Sequence, residues 1–150
     1  MARAYDIAVA ALAIDTDRKW LDNLTSQHTI PGTEHVARGV ARRLTLRALV
    51  VAAIVRDLNQ LLGVPVARGV ALSTELLDQV DRHSSTAAVA GGSANSPVGT
   101  PVVELGQNME LRIDVGEIQR RVEVRLLDAM ERVVPRRRGR PPRKERRGTP

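Results

Sequence analysis

The sequence predicts a mainly α chain: a helical N-terminal domain, then a β-hairpin plus helix, and a disordered basic tail. Three observations predict it. Aliphatic residues recur at helical spacing across residues 5–80, strand-like alternation is confined to short stretches, and Gly/Pro-rich or charged runs punctuate the rest. At 150 residues the chain is long enough for one modest domain, or for a small domain plus an appendage.

The elements follow in order. Ile7, Ala8, Ala11 and Leu12 form the apolar stripe of a short helix. Ile14-Asp15-Thr16 reads as a turn and Asp17 as the N-cap of a second helix. In that helix Trp20, Leu21 and Leu24 face inward, while Arg18, Lys19, Asp22, Asn23, Ser26 and Gln27 face outward. Two short helices across so tight a turn make a helix-turn-helix unit. Over Ile30–Leu44, Pro31-Gly32 and Arg38-Gly39 mark turns, and Val40, Arg42 and Leu44 alternate with Ala41 and Arg43. This is the pattern of a small β-wing with arginines near its tip and return strand.

Thr45 then caps a long helix in which Leu46, Leu49, Val50, Ala53, Ile54, Leu58, Leu61 and Leu62 make a broad apolar face, interrupted by Asp57. Gly63 ends that helix. Val64-Pro65 opens the next, with Val66, Val70, Leu72, Leu76 and Leu77 as its apolar contacts. Residues 1–82 therefore read as a winged helix-turn-helix domain. Residues 83–101, small and Gly/Pro-punctuated, read as a flexible linker.

The order helix, turn, helix, wing, long helix, Gly-apolar-Pro, helix resembles that of MerR-type winged-helix DNA-binding domains. The stretch GVARRLTLRAL (Gly39–Leu49) is similar to that family's glycine-apolar-arginine segment leading into its third helix, and LLGVPVARGVAL (Leu61–Leu72) to the glycine-led step into its fourth. The resemblance covers about half the chain. Asp15 or a neighbour stands where the family's turn usually has glycine, Leu44 fills an aromatic position, and Gly39 to Arg42 is one residue longer than usual. There is no cysteine-bearing sensor and no long C-terminal coiled coil. The resemblance implies a homodimer on double-stranded DNA, with Arg18, Lys19 and Asn23 facing the major groove. It also implies Arg42 and Arg43 as wing contacts and Arg47 within reach of a phosphate. The chemistry suits those roles: Arg pairs bidentately with guanine and Asn with adenine, whereas wing arginines hold phosphates and position without specifying.

In the C-terminal half, Met109, Leu111, Ile113 and Val115 alternate with Glu110, Arg112 and Asp114. With Val102–Leu105 across Gly106-Gln107-Asn108 they predict a hairpin. Asp114 and Glu117 have capping-box spacing, and the helix after them carries Ile118, Val122, Leu126, Met130 and Val133 on one stripe. One hairpin and one helix bury too little to fold alone. Residues 102–134 therefore need a partner, either the first domain or a second copy, and the linker makes a dimerisation unit the favoured expectation.

Residues 135–150 cannot bury anything and are expected to be disordered in isolation. Within them Arg138-Gly139-Arg140-Pro141 matches the core of the AT-hook, a short DNA-binding peptide. Glycine lets the backbone approach the minor groove, proline holds it extended, and two arginines lie along the narrow negative floor of an A·T tract.

Charge is distributed unevenly. Residues 1–56 carry +3, residues 57–134 carry −4 and residues 135–150 carry +7, within a total of +6. Two cationic ends around an acidic middle fit a polyanionic partner, and a solvated tail that only aids solubility is the bland alternative. Only Lys19 and Lys144 are lysine, a bias that a GC-rich genome alone produces, so arrangement carries more weight than arginine content.

The chain has no cysteine, which excludes disulfides, thiolate metal sites and cysteine nucleophiles. His28, His35 and His83 are scattered, so no metal is expected. No nucleophile–base pair or phosphate loop appears, so neither an enzyme nor a cofactor is expected. No apolar run approaches the roughly 20 residues of a membrane span, and the N-terminus is interrupted by Arg3 and Asp6. The expectation is a soluble, cytoplasmic, nucleoid-associated DNA-binding protein that regulates transcription or organises DNA. A protein-interaction module and an RNA-binding protein with a non-specific basic tail are the alternatives. Scarce aromatics disfavour single-stranded base stacking.

Overall fold

A computed structural model of the chain describes residues 3–34, 42–89, 102–106 and 109–133. A short strand β1 (Ala4–Asp6) leads directly into helix α1 (Ile7–Ala13), whose first turn is capped by the Asp6 carboxylate accepting from the Ala8 amide at 3.5 Å. Helix α2 (Arg18–Gln27) follows, then β2 (Thr33–Glu34), β3 (Arg43–Thr45), the long helix α3 (Leu46–Leu62) and α4 (Val66–Val89). Strands β4 (Val102–Gly106) and β5 (Met109–Arg112) precede the last helix, α5 (Val115–Arg132).

Local signals account for most of these boundaries. Thr45 Oγ1 accepts from the Ala48 amide at 3.4 Å and caps α3, while Asp114 accepts from the Glu117 amide at 2.9 Å and caps α5. Gly63 closes α3 in the left-handed region at φ +66°, where glycine is favoured. β3 is the centre of a three-stranded antiparallel sheet ordered β1-β3-β2, with Leu44 opposite both Tyr5 and Thr33. β4 and β5 form a separate two-stranded hairpin, its register shifted between Glu104 and Gly106.

The core is built around α3. Every residue from Ala48 to Val55 is buried, so this helix is apolar on all sides and must be enclosed. It packs against α4, α5 and β3. Gly69 allows α4 close approach: a Cβ there would already lie 3.4 Å from Val55 Cγ1. α5 lies against α1 and α3 and buries Val115, Ile118, Val122, Leu126 and Ala129. Each large aliphatic in that set contributes about 1.5–3 kcal/mol on burial.

Several expectations need correction. The α5 stripe is not an open dimer seam: it is covered by this chain's own α1 and α3, and Val133 at its end is exposed. α1 buries Ile7, Ala10, Ala11 and Ala13, whereas Leu12, expected inward, is 49% exposed because the helix presents Ala10 and Ala13 to the core instead. Leu61 and Leu62, expected on the apolar face of α3, are 79% and 51% exposed, on the lining of an open cleft. α4 continues to Val89, past residue 82 where the linker was expected to begin, and β1 was not expected at all. The wing tip expected at 35–41, most of the expected linker, and residues 134–150, with the hook expected at Arg138, Gly139, Arg140 and Pro141, lie outside the described residues.

Candidate nucleic-acid interface

α1 and α2 meet across a turn whose geometry is set by Asp15. This residue is left-handed at φ +55°, the Thr16 amide donates to the Ala11 carbonyl at 2.9 Å, and the Asp15 amide donates to the Leu12 carbonyl at 3.2 Å. These two bonds form a Schellman ending for α1. Asp tolerates this region better than most residues with a Cβ. Two residues later the Asp17 carboxylate caps α2, accepting from the Lys19 amide at 2.6 Å and the Trp20 amide at 3.4 Å.

That cap fixes the rotation of α2. Leu21, Leu24 and Thr25 turn into the protein, and Trp20, half-buried, packs against the core. Arg18, Lys19, Asp22, Asn23, Ser26 and Gln27 form one continuous exposed face. Among the described residues the side chains of Arg18, Lys19 and Asn23 make no hydrogen bond or ion pair, so they are available to a ligand. Thr25 Oγ1 donates back to the Leu21 carbonyl at 3.0 Å and Ser26 Oγ to the Asn23 carbonyl at 2.9 Å, which satisfies both hydroxyls locally.

The paired strands β2 and β3 abut this face. Arg42 Nη1 lies 3.3 Å from Asp22 Oδ1 and 3.5 Å from the Asp22 carbonyl oxygen, so the residue that leads into β3 is tied to the middle of α2. The pair is partly exposed and worth little in stability, of the order 0.2–1 kcal/mol, but it places a guanidinium beside the α2 face. A polar cleft of about 200 Å³, lined by residues including Thr25, His28, Thr33 and Arg42, lies between the end of α2 and strands β2 and β3.

Arg43 is exposed, and the sheet register sets Asp6 and Glu34 on either side of it, though neither forms an ion pair with it among the described residues. Those carboxylates reduce what Arg43 offers a phosphate. Arg47 is committed elsewhere. Its Nη2 lies 2.7 Å from Asp78 Oδ1 and its Nη1 contacts Asp81 Oδ2, so it clamps the start of α3 to α4. The expected phosphate contact at Arg47 would first have to break that clamp.

Behind the turn lies a group that sequence reading missed. Arg56, on α3, donates through Nη1 to the carbonyls of Ile14 and Asp15, the latter at 3.1 Å. Its Nε and Nη2 reach Asp57 Oδ1 at 2.9 and 2.6 Å, and Arg121 of α5 approaches Asp57 Oδ2 at 3.5 Å. The sequence does carry a signal for it: Arg56-Asp57 is a charged pair set into an otherwise apolar helix.

A second surface feature is an apolar cleft of about 250 Å³ between the end of α3 and the start of α5, lined by Leu58, Leu61, Leu62, Ile113, Ile118 and their neighbours. Among the described residues no helix is long and apolar enough to cross a membrane. No protein-family model, no curated protein and no solved structure matches the chain.

Proposed function

We propose that the chain binds double-stranded DNA as a transcriptional regulator or nucleoid-associated protein of the cytoplasm. α2 is presented to the major groove and the wing base, with Arg42 and Arg43, to flanking phosphates. The observation that carries this reading is the α2 face itself: among the described residues Arg18, Lys19 and Asn23 are exposed together without side-chain partners, and Arg42 is held alongside by its pair with Asp22. Cations that no carboxylate neutralises can exchange their counterions for phosphates, which is the main source of affinity for duplex DNA.

The tail adds a second contact on this reading. Arg138, Gly139, Arg140 and Pro141 enter the minor groove of A·T-rich DNA, and tethering to the first domain raises their effective concentration. A two-fold pair of copies places two α2 helices in successive grooves. Such a homodimer must use a surface other than the α5 stripe, which is buried within the chain.

The test is fluorescence anisotropy of the full chain, and of a form ending at Val134, with A·T-rich and G·C-rich duplexes over a salt series. The expected result is an A·T preference that the shorter form loses while it keeps weaker binding. Absence of duplex binding by both forms at moderate salt refutes the proposal. A protein-interaction module then becomes the better reading, and the apolar cleft beside the exposed Leu61 and Leu62 favours it.

A further inference from the structure

We infer that Arg56 is the positioning residue of the α2 face: it touches no ligand but fixes the angle at which α2 leaves the protein. The inference rests on the reading of α2 as the DNA-facing helix. Within α2 Leu21, Leu24 and Thr25 are buried, Trp20 is half-buried against the core and the other six residues are exposed, so packing holds the helix along one face only. Its direction is set largely where it begins, at the short turn after α1.

Arg56 grips that turn from behind. The carbonyls at the end of a helix have no partner within the helix and carry its negative end. Arg56 donates to the carbonyls of Ile14 and Asp15, supplying the missing donor and a favourable charge at once. Its side chain is only 13% exposed, so the guanidinium needs a counter-charge, and the neighbouring Asp57 provides it through Nε and Nη2. The fork geometry matters: three nitrogens are spent on three oxygens, an arrangement a lysine ammonium cannot reproduce.

The same carboxylate joins a third segment. Arg121 of α5 reaches Asp57 Oδ2, and one turn later Arg125 lies 3.9 Å from Asp15 Oδ2. α5 thus touches the turn directly and also touches the residue that orients Arg56. These two outer pairs are partly exposed and individually weak. Of the three cations, Arg56 is the one that donates to the carbonyls of the turn itself.

The test uses the full chain and three substitutions, Arg56→Met, Arg56→Lys and Asp57→Asn, each studied well below its own melting temperature. Trp20 lies in α2 and is the chain's only tryptophan, so its emission reports the seating of α2 without any DNA present. The expected result for Arg56→Met is a shifted Trp20 emission and a duplex affinity lowered about three- to thirty-fold, the range for couplings at a distance. The slope of log affinity against log salt stays at the wild-type value, because Arg56 neutralises no phosphate. Arg56→Lys recovers part of both losses, and Asp57→Asn falls between. If Arg56→Met does not fold, the lysine and asparagine variants carry the same comparison.

Two outcomes overturn the inference. One is unchanged Trp20 emission with wild-type affinity. The other is an affinity loss accompanied by a slope flattened by about 0.9, which would make Arg56 a phosphate contact. Should the wild-type chain not bind duplex at all, the DNA reading fails, and the Trp20 comparison alone decides whether Arg56 positions α2.

Discussion

Gly32 and Thr45 lock the turn before β2 to the start of α3: the Thr45 amide donates to the Gly32 carbonyl at 3.0 Å, and a Cβ on Gly32 would overlap the Thr45 hydroxyl. Gly32 is also left-handed at φ +88°. Thr45 Oγ1 is the α3 cap, so it cannot move aside without releasing the Ala48 amide. Gly32→Ala should therefore cost about 2 kcal/mol or more, through strain and overlap together. Chemical denaturation that gave a loss under about 0.5 kcal/mol would show that the contact between Gly32 and Thr45 is looser than described.

Asp15 occupies the left-handed position of the α1–α2 turn, where a β-branched side chain is strained. Asp15→Val should destabilise by about 1–2 kcal/mol, whereas Asp15→Gly should be close to neutral. The comparison isolates the backbone, because both substitutions remove the same weak contact to Arg125. Equal melting temperatures for the two variants would contradict the turn geometry.

Arg47 is spent on Asp78 and Asp81. Arg47→Ala should lower stability by about 0.5–1 kcal/mol, as expected for partly exposed pairs, and leave the salt slope of DNA binding unchanged. A slope reduced by about 0.9 with stability intact would restore the phosphate role that the sequence suggested.

α5 belongs to the same core as α3. Leu126→Ala removes a side chain that is 3% exposed and should cost about 2–5 kcal/mol. The loss should not depend on protein concentration, since the side chain packs within its own chain. A melting temperature that falls on dilution in the wild type but not in the variant would instead place Leu126 between copies.

What the sequence reveals is what acts over a few residues. Asp17, Thr45, Gly63 and Asp114 stand at helix ends as their chemistry predicts, because a cap bonds an amide two or three positions away or relieves local backbone strain. The outward face of α2 is legible for the same reason, since helical period alone separates Arg18, Lys19 and Asn23 from Leu21 and Leu24. β1 escapes because three residues carry too little pattern, and its pairing with β3 spans some 40 positions.

The rest depends on partners distant in sequence. The stripe on α5 was visible, but which surface covers it is decided by tertiary packing, and that surface is α1 and α3. Arg47 looks like a free cation until α4 brings Asp78 and Asp81 beside it. Arg56 looks like a flaw in an apolar helix until the Ile14 and Asp15 carbonyls arrive from the turn.

The measurement that bears most directly on the central claim is the salt dependence of duplex binding by the wild type, Arg18→Ala, Lys19→Ala and Arg47→Ala. If α2 is the DNA surface, log affinity falls linearly with log salt. Phosphate-bound cations on α2 then each flatten that slope by about 0.9 when removed, base-bound ones lower affinity alone, and Arg47→Ala does neither. Wild-type slope and affinity retained in both α2 variants would contradict the assignment of α2 as the DNA-binding face.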